Sequence, residues 1–302
     1  MPPTSRERLR TNRLKNSGVT SSSRDFKWLV NNTDRINIVS EGDSWFAYPR
    51  KNIIFGQNAN IIDHVAKAVR NKNRVNLLRL SSSGHEAVEI ISGEQKHELA
   101  GILKSNNNRI DFLMFSAGGN DVVGKWDMER LLKQYQPGFS ARDCIRTARL
   151  NRKIKQVELA YTELIELRNE YSPDTVIVCH TYDYMKPSKQ GGRFLWGLVR
   201  TGPWLQPYME DKGIPELLQG KICRILLDGI RIRLEALSAS RAAAGKFILV
   251  NTQRTLEYGN RRDWLNEIHP TASGFRKIAR KIYQRCTSSA HMGPLALNSK
   301  RH

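Results

Sequence analysis

Five short apolar segments, rich in β-branched residues, alternate with longer amphipathic segments along this chain. The apolar segments are residues 36–39, 75–80, 112–115, 175–179 and 247–250. Each is almost continuously apolar, which is typical of strands that are buried on both faces of a parallel sheet. Helical periodicity marks residues 60–70, 86–104, 150–171 and 215–237, and a last helix after Pro270. The alternation predicts an α/β fold in which helices cover a five-stranded parallel sheet.

The two ends of the chain depart from this pattern. Residues 1–34 are rich in Ser, Thr, Asn and Arg and have only isolated apolar positions, so they predict a flexible basic arm. Residues 35–286 predict one domain, and residues 287–302 a flexible C-terminal tail. No stretch approaches the roughly 18 apolar residues of a membrane span. The N-terminal residues also lack the apolar run of a signal peptide, which favours a cytoplasmic protein.

The charge is strongly basic. Among 302 residues, 49 Lys and Arg against 29 Asp and Glu give a net charge of +20. Residues 1–27 hold seven basic and two acidic residues, and residues 271–286 hold five basic residues and no acidic one. Clusters of this kind either form solvated faces or bind phosphate-rich partners without sequence specificity. Both interpretations stay open, and the second predicts weak binding to an anionic polymer or surface through the basic arm.

Several kinds of site are disfavoured by the sequence. The four cysteines lie far apart without a CxxC pair, which disfavours a disulfide framework or a thiolate metal site. No His, Asp and Glu cluster has the spacing of metal ligands, so we expect metal-independent chemistry without a cofactor. The glycine-rich nucleotide motifs and the GxSxG nucleophile motif are also missing.

Polar segments follow four of the apolar segments at the points where the strands should end. They are residues 40–46, 81–85, 116–121 and 263–270. The carboxyl ends of parallel strands lie at one edge of the sheet, so these segments are expected to meet in one crevice. The stretch 180–184 ends the fourth strand at the same edge and is expected to line or support that crevice.

The residues of these segments fit the needs of acyl transfer. A serine hydroxyl becomes a nucleophile when a neighbouring base takes its proton, and Ser44 and His269 offer that pair. Donors must also hold the oxygen that becomes negative. The backbone N–H groups of Ser44 and Gly84 and the side-chain amide of Asn120 are candidates. Asp43 is expected to hold the loop around Ser44 by hydrogen bonds rather than to act as an acid.

Four blocks carry this chemistry: Gly42-Asp43-Ser44, Gly84, Gly118-Gly119-Asn120-Asp121 and His269-Pro270. In order and spacing they resemble the consensus blocks of the SGNH hydrolases, also called the GDSL family. The resemblance spans about residues 36–284. It implies a flavodoxin-like α/β/α sandwich with Ser44 as nucleophile, Gly84 and Asn120 as oxyanion donors and His269 as base. The substrate it implies is an ester of a lipid, an acylated sugar or another small molecule.

The chain departs from the family pattern at two positions. The family usually has Asp three residues before the histidine, where this chain has Asn266, and often has Leu where Trp45 stands, at the expected pocket wall. An Asn can orient the imidazole but cannot stabilise the imidazolium, and the analogous change in a serine protease costs about 10⁴-fold in turnover. Three outcomes stay open: Asp263 replaces it, a Ser–His dyad suffices, or the protein is catalytically weak.

The sequence therefore predicts a serine-dependent hydrolase of carboxylic esters. An acyltransferase would use the same residues and differ in how the site excludes water. A protein of another class, a catalytically weak relative that binds nucleic acid or another anion, is favoured by the basic charge and by Asn266.

Overall fold

A six-stranded parallel sheet forms the centre of the protein. The computed structural model describes residues 5–48, 60–70, 74–81, 86–106, 108–123, 125–194 and 199–287. The strands are β1 (Val19–Thr20), β2 (Ile36–Gly42), β3 (Val75–Arg79), β4 (Phe112–Ser116), β5 (Val176–His180), β6 (Gly192–Phe194), β7 (Val199–Thr201) and β8 (Phe247–Val250). The central sheet has the order β1-β3-β2-β4-β5-β8, and β6 pairs with β7 as a separate antiparallel hairpin.

Helices follow the strands along the chain. They are α1 (Ser5–Ser17), α2 (Ser23–Asn32), α3 (Ser44–Ala47), α4 (Ile61–Arg70), α5 (Ala87–Ile90), α6 (Gly93–Ser105), α7 (Lys125–Leu131), α8 (Thr147–Tyr171), α9 (Gln206–Asp211), α10 (Glu216–Ser238) and α11 (Ala272–Thr287). Helix α4 packs on α11, and α8 packs on both α6 and α10. None of the helices in the described part of the chain has the length and apolar character to cross a membrane.

The predicted fold class is confirmed. The five expected strands form the order β3-β2-β4-β5-β8, which is the flavodoxin-like arrangement, and helices flank the sheet. The strand interiors are buried because the β-branched and aromatic side chains point into helices on both faces. The helix expected over residues 86–104 is divided into α5 and α6 by a break at Ile91 and Ser92.

The expectation of a flexible arm over residues 1–34 is wrong for the part that the structure describes. Phe26, Leu29 and Val30 recur at helical spacing on α2 and are buried. The Ser22 hydroxyl accepts a hydrogen bond from the backbone N–H of Asp25 (3.3 Å) and so caps the N-terminus of this helix. Strand β1 then pairs with β3 and adds the sixth strand, so the domain begins before residue 35. Residues 288–302, most of the expected C-terminal tail, lie outside the described residues.

Candidate active site

Ser44 lies where β2 ends and α3 begins. The turn requires a glycine at position 42, because a Cβ there would lie only 2.5 Å from the backbone oxygen of Ser116 on β4. The backbone N–H of Asp43 donates to that same oxygen (2.8 Å), so the turn is fixed to the neighbouring strand. Ser44 is the first residue of α3, and its side chain is 7% exposed. The geometry holds the hydroxyl at the carboxyl edge of the sheet, as expected.

Asp43 holds the start of α3. Its Oδ1 accepts a hydrogen bond from the backbone N–H of Trp45 (3.0 Å) and lies 2.9 Å from the Ser116 hydroxyl. The Tyr182 hydroxyl donates to its Oδ2. Burial raises the pKa of Asp43 to about 6, against the hydrogen bonds from Tyr182 and Trp45, which lower it. Asp43 is thus a buried loop anchor.

His180 belongs to the same buried network. Its Nδ1 lies 2.9 Å from the backbone oxygen of Thr181, and a carbonyl only accepts, so Nδ1 carries a hydrogen. Its Nε2 lies 3.0 Å from the Ser116 hydroxyl oxygen. The Ser116 hydroxyl donates to Asp43 Oδ1 (2.9 Å) and also lies 3.2 Å from the Tyr182 hydroxyl, so Asp43, Ser116 and the side chains of His180 and Tyr182 form one buried cluster.

Burial keeps His180 neutral. It lowers the pKa of the imidazole to about 4, so the ring carries no charge at physiological pH. His180 and Tyr182 contact Ser116, and Tyr182 also contacts Asp43, so the stretch 180–184 supports the segment that precedes Ser44. Asp183 of the same stretch accepts hydrogen bonds from the backbone N–H groups of Tyr184 and of residues 254–256.

His269 reaches Ser44 from the loop between β8 and α11. Its Nε2 lies 2.9 Å from the Ser44 hydroxyl oxygen, and its Nδ1 lies 3.2 Å from Asn266 Oδ1. That oxygen also accepts hydrogen bonds from the backbone N–H groups of Ile268 (3.1 Å) and His269 (2.8 Å). A flipped amide would lose both of these bonds, so Asn266 presents its oxygen to the imidazole. The ring is then held with its hydrogen on Nδ1 and its lone pair toward Ser44.

Two aromatic rings enclose His269. The Tyr48 ring lies 4.3 Å from the imidazole between centroids, and the Trp204 ring lies 5.5 Å away at an interplanar angle of 79°. Burial lowers the pKa of His269 to about 3, because no carboxylate compensates for the lost hydration of the imidazolium. The imidazole is therefore a neutral proton acceptor at physiological pH.

Asp263 and Glu267 hold other parts of the structure. The Asp263 carboxylate accepts from the Lys277 ammonium (2.6 and 2.8 Å) and from the backbone N–H of Glu257, so Asn266 is the side chain that contacts the imidazole. Glu267 accepts four backbone N–H groups, those of Ser188 and residues 204–206. Glu267 thus holds the segment that carries Trp204 against the loop that carries His269.

Two of the three oxyanion candidates, the backbone N–H of Ser44 and the side chain of Asn120, lie at the same sheet edge. Asn120 is partly exposed and begins a short 3-10 helix directly after β4, the strand that pairs with β2. Asp121 accepts a hydrogen bond from the backbone N–H of Ala87 (3.0 Å), which joins this block to the segment that follows Gly84. Gly84 and the neighbouring His85 lie outside the described residues, so the role of Gly84 stays a prediction.

Sequence reasoning placed Trp45 wrongly and did not identify Tyr48. Trp45 was expected at the pocket wall, but its side chain is buried and stacks on His180. Its indole N–H donates to the backbone oxygen of Ile268 (3.2 Å), which ties α3 to the His269 loop. No spacing pattern in the sequence connects Tyr48 to His269, because they meet only through the tertiary fold.

Comparisons with known proteins agree with this architecture. No family profile matches the sequence, and no curated protein matches it. Among solved structures, the lipase Lip_vut3 from a goat rumen metagenome superposes with a TM-score of 0.54 at 13% identity, over 83% of this chain and 97% of the lipase. An extracellular lipase from Streptomyces rimosus superposes with a TM-score of 0.50 at 18% identity, over 83% of this chain and 99% of that one.

A third match, with a TM-score of 0.43 at 13% identity over 84% of this chain and 100% of that one, is a member of the lipolytic protein G-D-S-L family from Veillonella parvula. Sequence identities this low support a shared fold and nothing more specific. The two lipases with the higher TM-scores share the fold over most of their length, and the four blocks of this chain follow the order of the family's consensus. The chain has the fold of the SGNH/GDSL hydrolases.

Proposed function

We propose that the protein hydrolyses carboxylic esters through an acyl-enzyme on Ser44. The observation that carries the proposal is the relay from the Ser44 hydroxyl through His269 to Asn266, with contacts of 2.9 and 3.2 Å. The lipases that share the fold support the same reaction class. Ester hydrolysis needs a nucleophile, a base and donors for the oxyanion. The contact between Ser44 and His269 supports the first two roles, and the oxyanion donors are part of the proposal.

The reaction begins with attack of the Ser44 oxygen on the ester carbonyl, while its proton moves to Nε2 of His269. The carbonyl oxygen becomes negative, and the donors proposed for it are the backbone N–H groups of Ser44 and Gly84 and the side chain of Asn120. When the tetrahedral intermediate collapses, the imidazolium gives its proton to the leaving alcohol and the acyl-enzyme remains. Water then gives a proton to His269 and attacks the acyl group, which releases the carboxylic acid and restores Ser44.

In this scheme Asn266 orients the imidazole of His269, but as a neutral amide it provides no negative charge to stabilise the imidazolium. Its oxygen accepts the hydrogen of Nδ1 and keeps the Nε2 lone pair directed at Ser44. The imidazolium that forms during the reaction has no carboxylate beside it, so we expect slower turnover than in a site with Asp at this position.

A fluorophosphonate probe tests the proposal, because it reacts only with an activated serine. We expect the wild-type protein to be labelled and to hydrolyse p-nitrophenyl acetate, and Ser44→Ala to do neither at an unchanged melting temperature. Ser238→Ala is the matched control: this exposed hydroxyl donates to the backbone oxygen of Glu235, three residues before it, at the end of α10. Labelling of Ser44→Ala at the wild-type rate, or a folded wild type that is never labelled, overturns the proposal.

A further inference from the structure

A buried tyrosine holds the chain where it leaves the sheet after β4. The Tyr161 hydroxyl donates to the backbone oxygen of Ala117 (3.0 Å) and accepts a hydrogen bond from the backbone N–H of the same residue (3.3 Å). A hydroxyl can fill both roles at once. Tyr161 belongs to α8 and is fully buried. One side chain therefore fixes both backbone polar groups of Ala117, three positions before Asn120.

A second tyrosine holds the next part of this segment. A Cβ at Gly119 would lie 2.7 Å from the Tyr182 ring, so the ring packs directly on the Gly119 backbone. The Tyr182 hydroxyl donates to Oδ2 of Asp43, and Asp43 caps α3, the helix that starts with Ser44. Tyr182 thus contacts both the residue before Asn120 and the residue before Ser44.

The two glycines before Asn120 make these contacts necessary. Gly118 has a φ of +110°, a conformation that favours glycine, and a Cβ there would lie 3.1 Å from the side chain of Val157 on α8. A pair of glycines allows the backbone many conformations and does not by itself select one. The position of Asn120 therefore depends on the groups that hold the segment from outside.

We propose that Tyr161 and Tyr182 are positioning residues that fix the Asn120 amide relative to the Ser44 hydroxyl. The inference rests on the proposed function, in which that amide donates to the oxyanion. A displacement of about 1 Å can cost about 10²-fold in rate, so a donor that follows two glycines needs such contacts. Neither tyrosine has to touch the substrate, because each acts through the backbone that carries Asn120 or Ser44.

Two variants displace the segment in different ways. Tyr161→Phe keeps the ring that packs on Phe115 and removes the hydroxyl that holds Ala117. Gly119→Ala places a methyl group against the Tyr182 ring, at a φ of −65° that alanine adopts readily. We expect each folded variant to lose about tenfold or more in kcat/KM for p-nitrophenyl acetate, because the oxyanion forms only in the transition state.

A double-mutant cycle with Asn120→Ala separates positioning from structural damage. If the tyrosines act through the Asn120 amide, the loss in each variant should shrink to about twofold or less once that amide is absent. Damage elsewhere in the site would lower the rate by the same factor in both backgrounds. Thr175→Val is the matched control and should keep the wild-type rate. It removes another fully buried hydroxyl, which donates to the backbone oxygen of Ile110 (2.7 Å) at the amino end of β5.

Rates are compared for variants that a thermal melt shows to be folded at the assay temperature. A folded variant of either kind with the wild-type kcat/KM overturns the inference, and so does an equal loss with and without the Asn120 amide. Because each variant is judged separately, one that does not fold leaves the other to decide. A folded wild type without labelling or turnover contradicts the proposed function as well, whereas the first two results in an active protein contradict this inference alone.

Discussion

Replacing Asn266 by Asp tests directly how His269 is held. The change is nearly isosteric, and the new carboxylate would still accept the two hydrogen bonds that the backbone N–H groups of Ile268 and His269 now donate to Asn266 Oδ1. The Asn266 amide donates only a long hydrogen bond to the Tyr48 hydroxyl (3.5 Å), and that hydroxyl can donate to a carboxylate instead. We therefore expect the variant to fold with the same geometry and to differ mainly by one negative charge beside the imidazole.

The size of the effect follows from the distance. A unit charge about 4 Å from the imidazolium, at an effective dielectric constant of about 20, stabilises it by about 4 kcal/mol. That corresponds to roughly three pKa units. The pKa of His269, now about 3, would therefore rise to about 6. Because the imidazolium forms during attack, the same interaction would increase the reaction rate at pH 8 by up to roughly 10³-fold.

The pH dependence of the rate shows in which direction the pKa of His269 changes in the variant. His269 acts as a base only when it is neutral, so activity is lost as the pH falls through its pKa. We expect the ratio of the variant rate to the wild-type rate to be highest above pH 7 and to fall by about tenfold per pH unit below pH 6. Asp43 titrates in the same range in both proteins, and its contribution cancels in the ratio.

The assay is the second-order rate of fluorophosphonate labelling between pH 4 and 9, together with hydrolysis of p-nitrophenyl acetate. Asn251→Asp is the matched control, because it adds the same charge at an exposed position of the loop after β8. Its Oδ1 accepts from the backbone N–H of Gln253 (3.0 Å) and makes no contact with His269. A rate ratio that stays at one, or that does not change with pH, would refute the assignment of Asn266 as the partner of His269.

Three further substitutions test the scaffold of the site. Gly42→Ala should lower the free energy of unfolding by more than about 2 kcal/mol, because its Cβ would meet the backbone of Ser116; thermal melting measures this. Tyr182→Phe removes a donor to Asp43 and should cost about 1–3 kcal/mol in urea unfolding. The pKa of Asp43 is higher in the folded protein than in the unfolded chain, so stability falls as the pH rises through about 6. The Tyr182 hydrogen bond lowers this pKa, so in Tyr182→Phe the loss of stability should extend to a pH above 6. Glu267→Gln replaces one acceptor oxygen of a carboxylate that holds four backbone N–H groups; limited proteolysis should cut residues 188–206 faster than in the wild type.

The sequence predicted the sheet and the place of the site for one physical reason. A strand buried on both faces leaves a continuous apolar run, and its end is marked where polar residues begin, as at residues 40–44 and 116–121. The same reasoning failed for residues 5–34. Strand β1 has only two residues, which is too short to leave an apolar run in the sequence. The three buried side chains of α2 are surrounded by polar and basic residues, so the average composition of the segment hides its apolar face.

The supporting contacts of the site could not be predicted, because they join residues that are distant in sequence. Tyr182 and Asp43 are 139 residues apart, and the Trp45 indole meets the Ile268 carbonyl across 223 residues. Nothing in local spacing selects one such pairing over another. The order of the blocks led to the pairing of Ser44 with His269, which lie 2.9 Å apart, and the fold was needed to show what holds these two side chains.

These contacts give the site an unusual charge state. Asp43 keeps a proton up to a pKa of about 6, His269 is neutral down to about 3, and Asn266 carries no charge. In weakly acidic solution this part of the site therefore contains no fixed ion, and charge appears only when Ser44 attacks. The oxyanion and the imidazolium then form together in surroundings from which water is largely excluded, where oriented dipoles stabilise charge more strongly than they do in water. With no carboxylate to share the imidazolium, the proposed catalysis depends mainly on the N–H donors around the oxyanion, so removing the Asn120 amide should reduce the rate by a larger factor here than in Asn266→Asp.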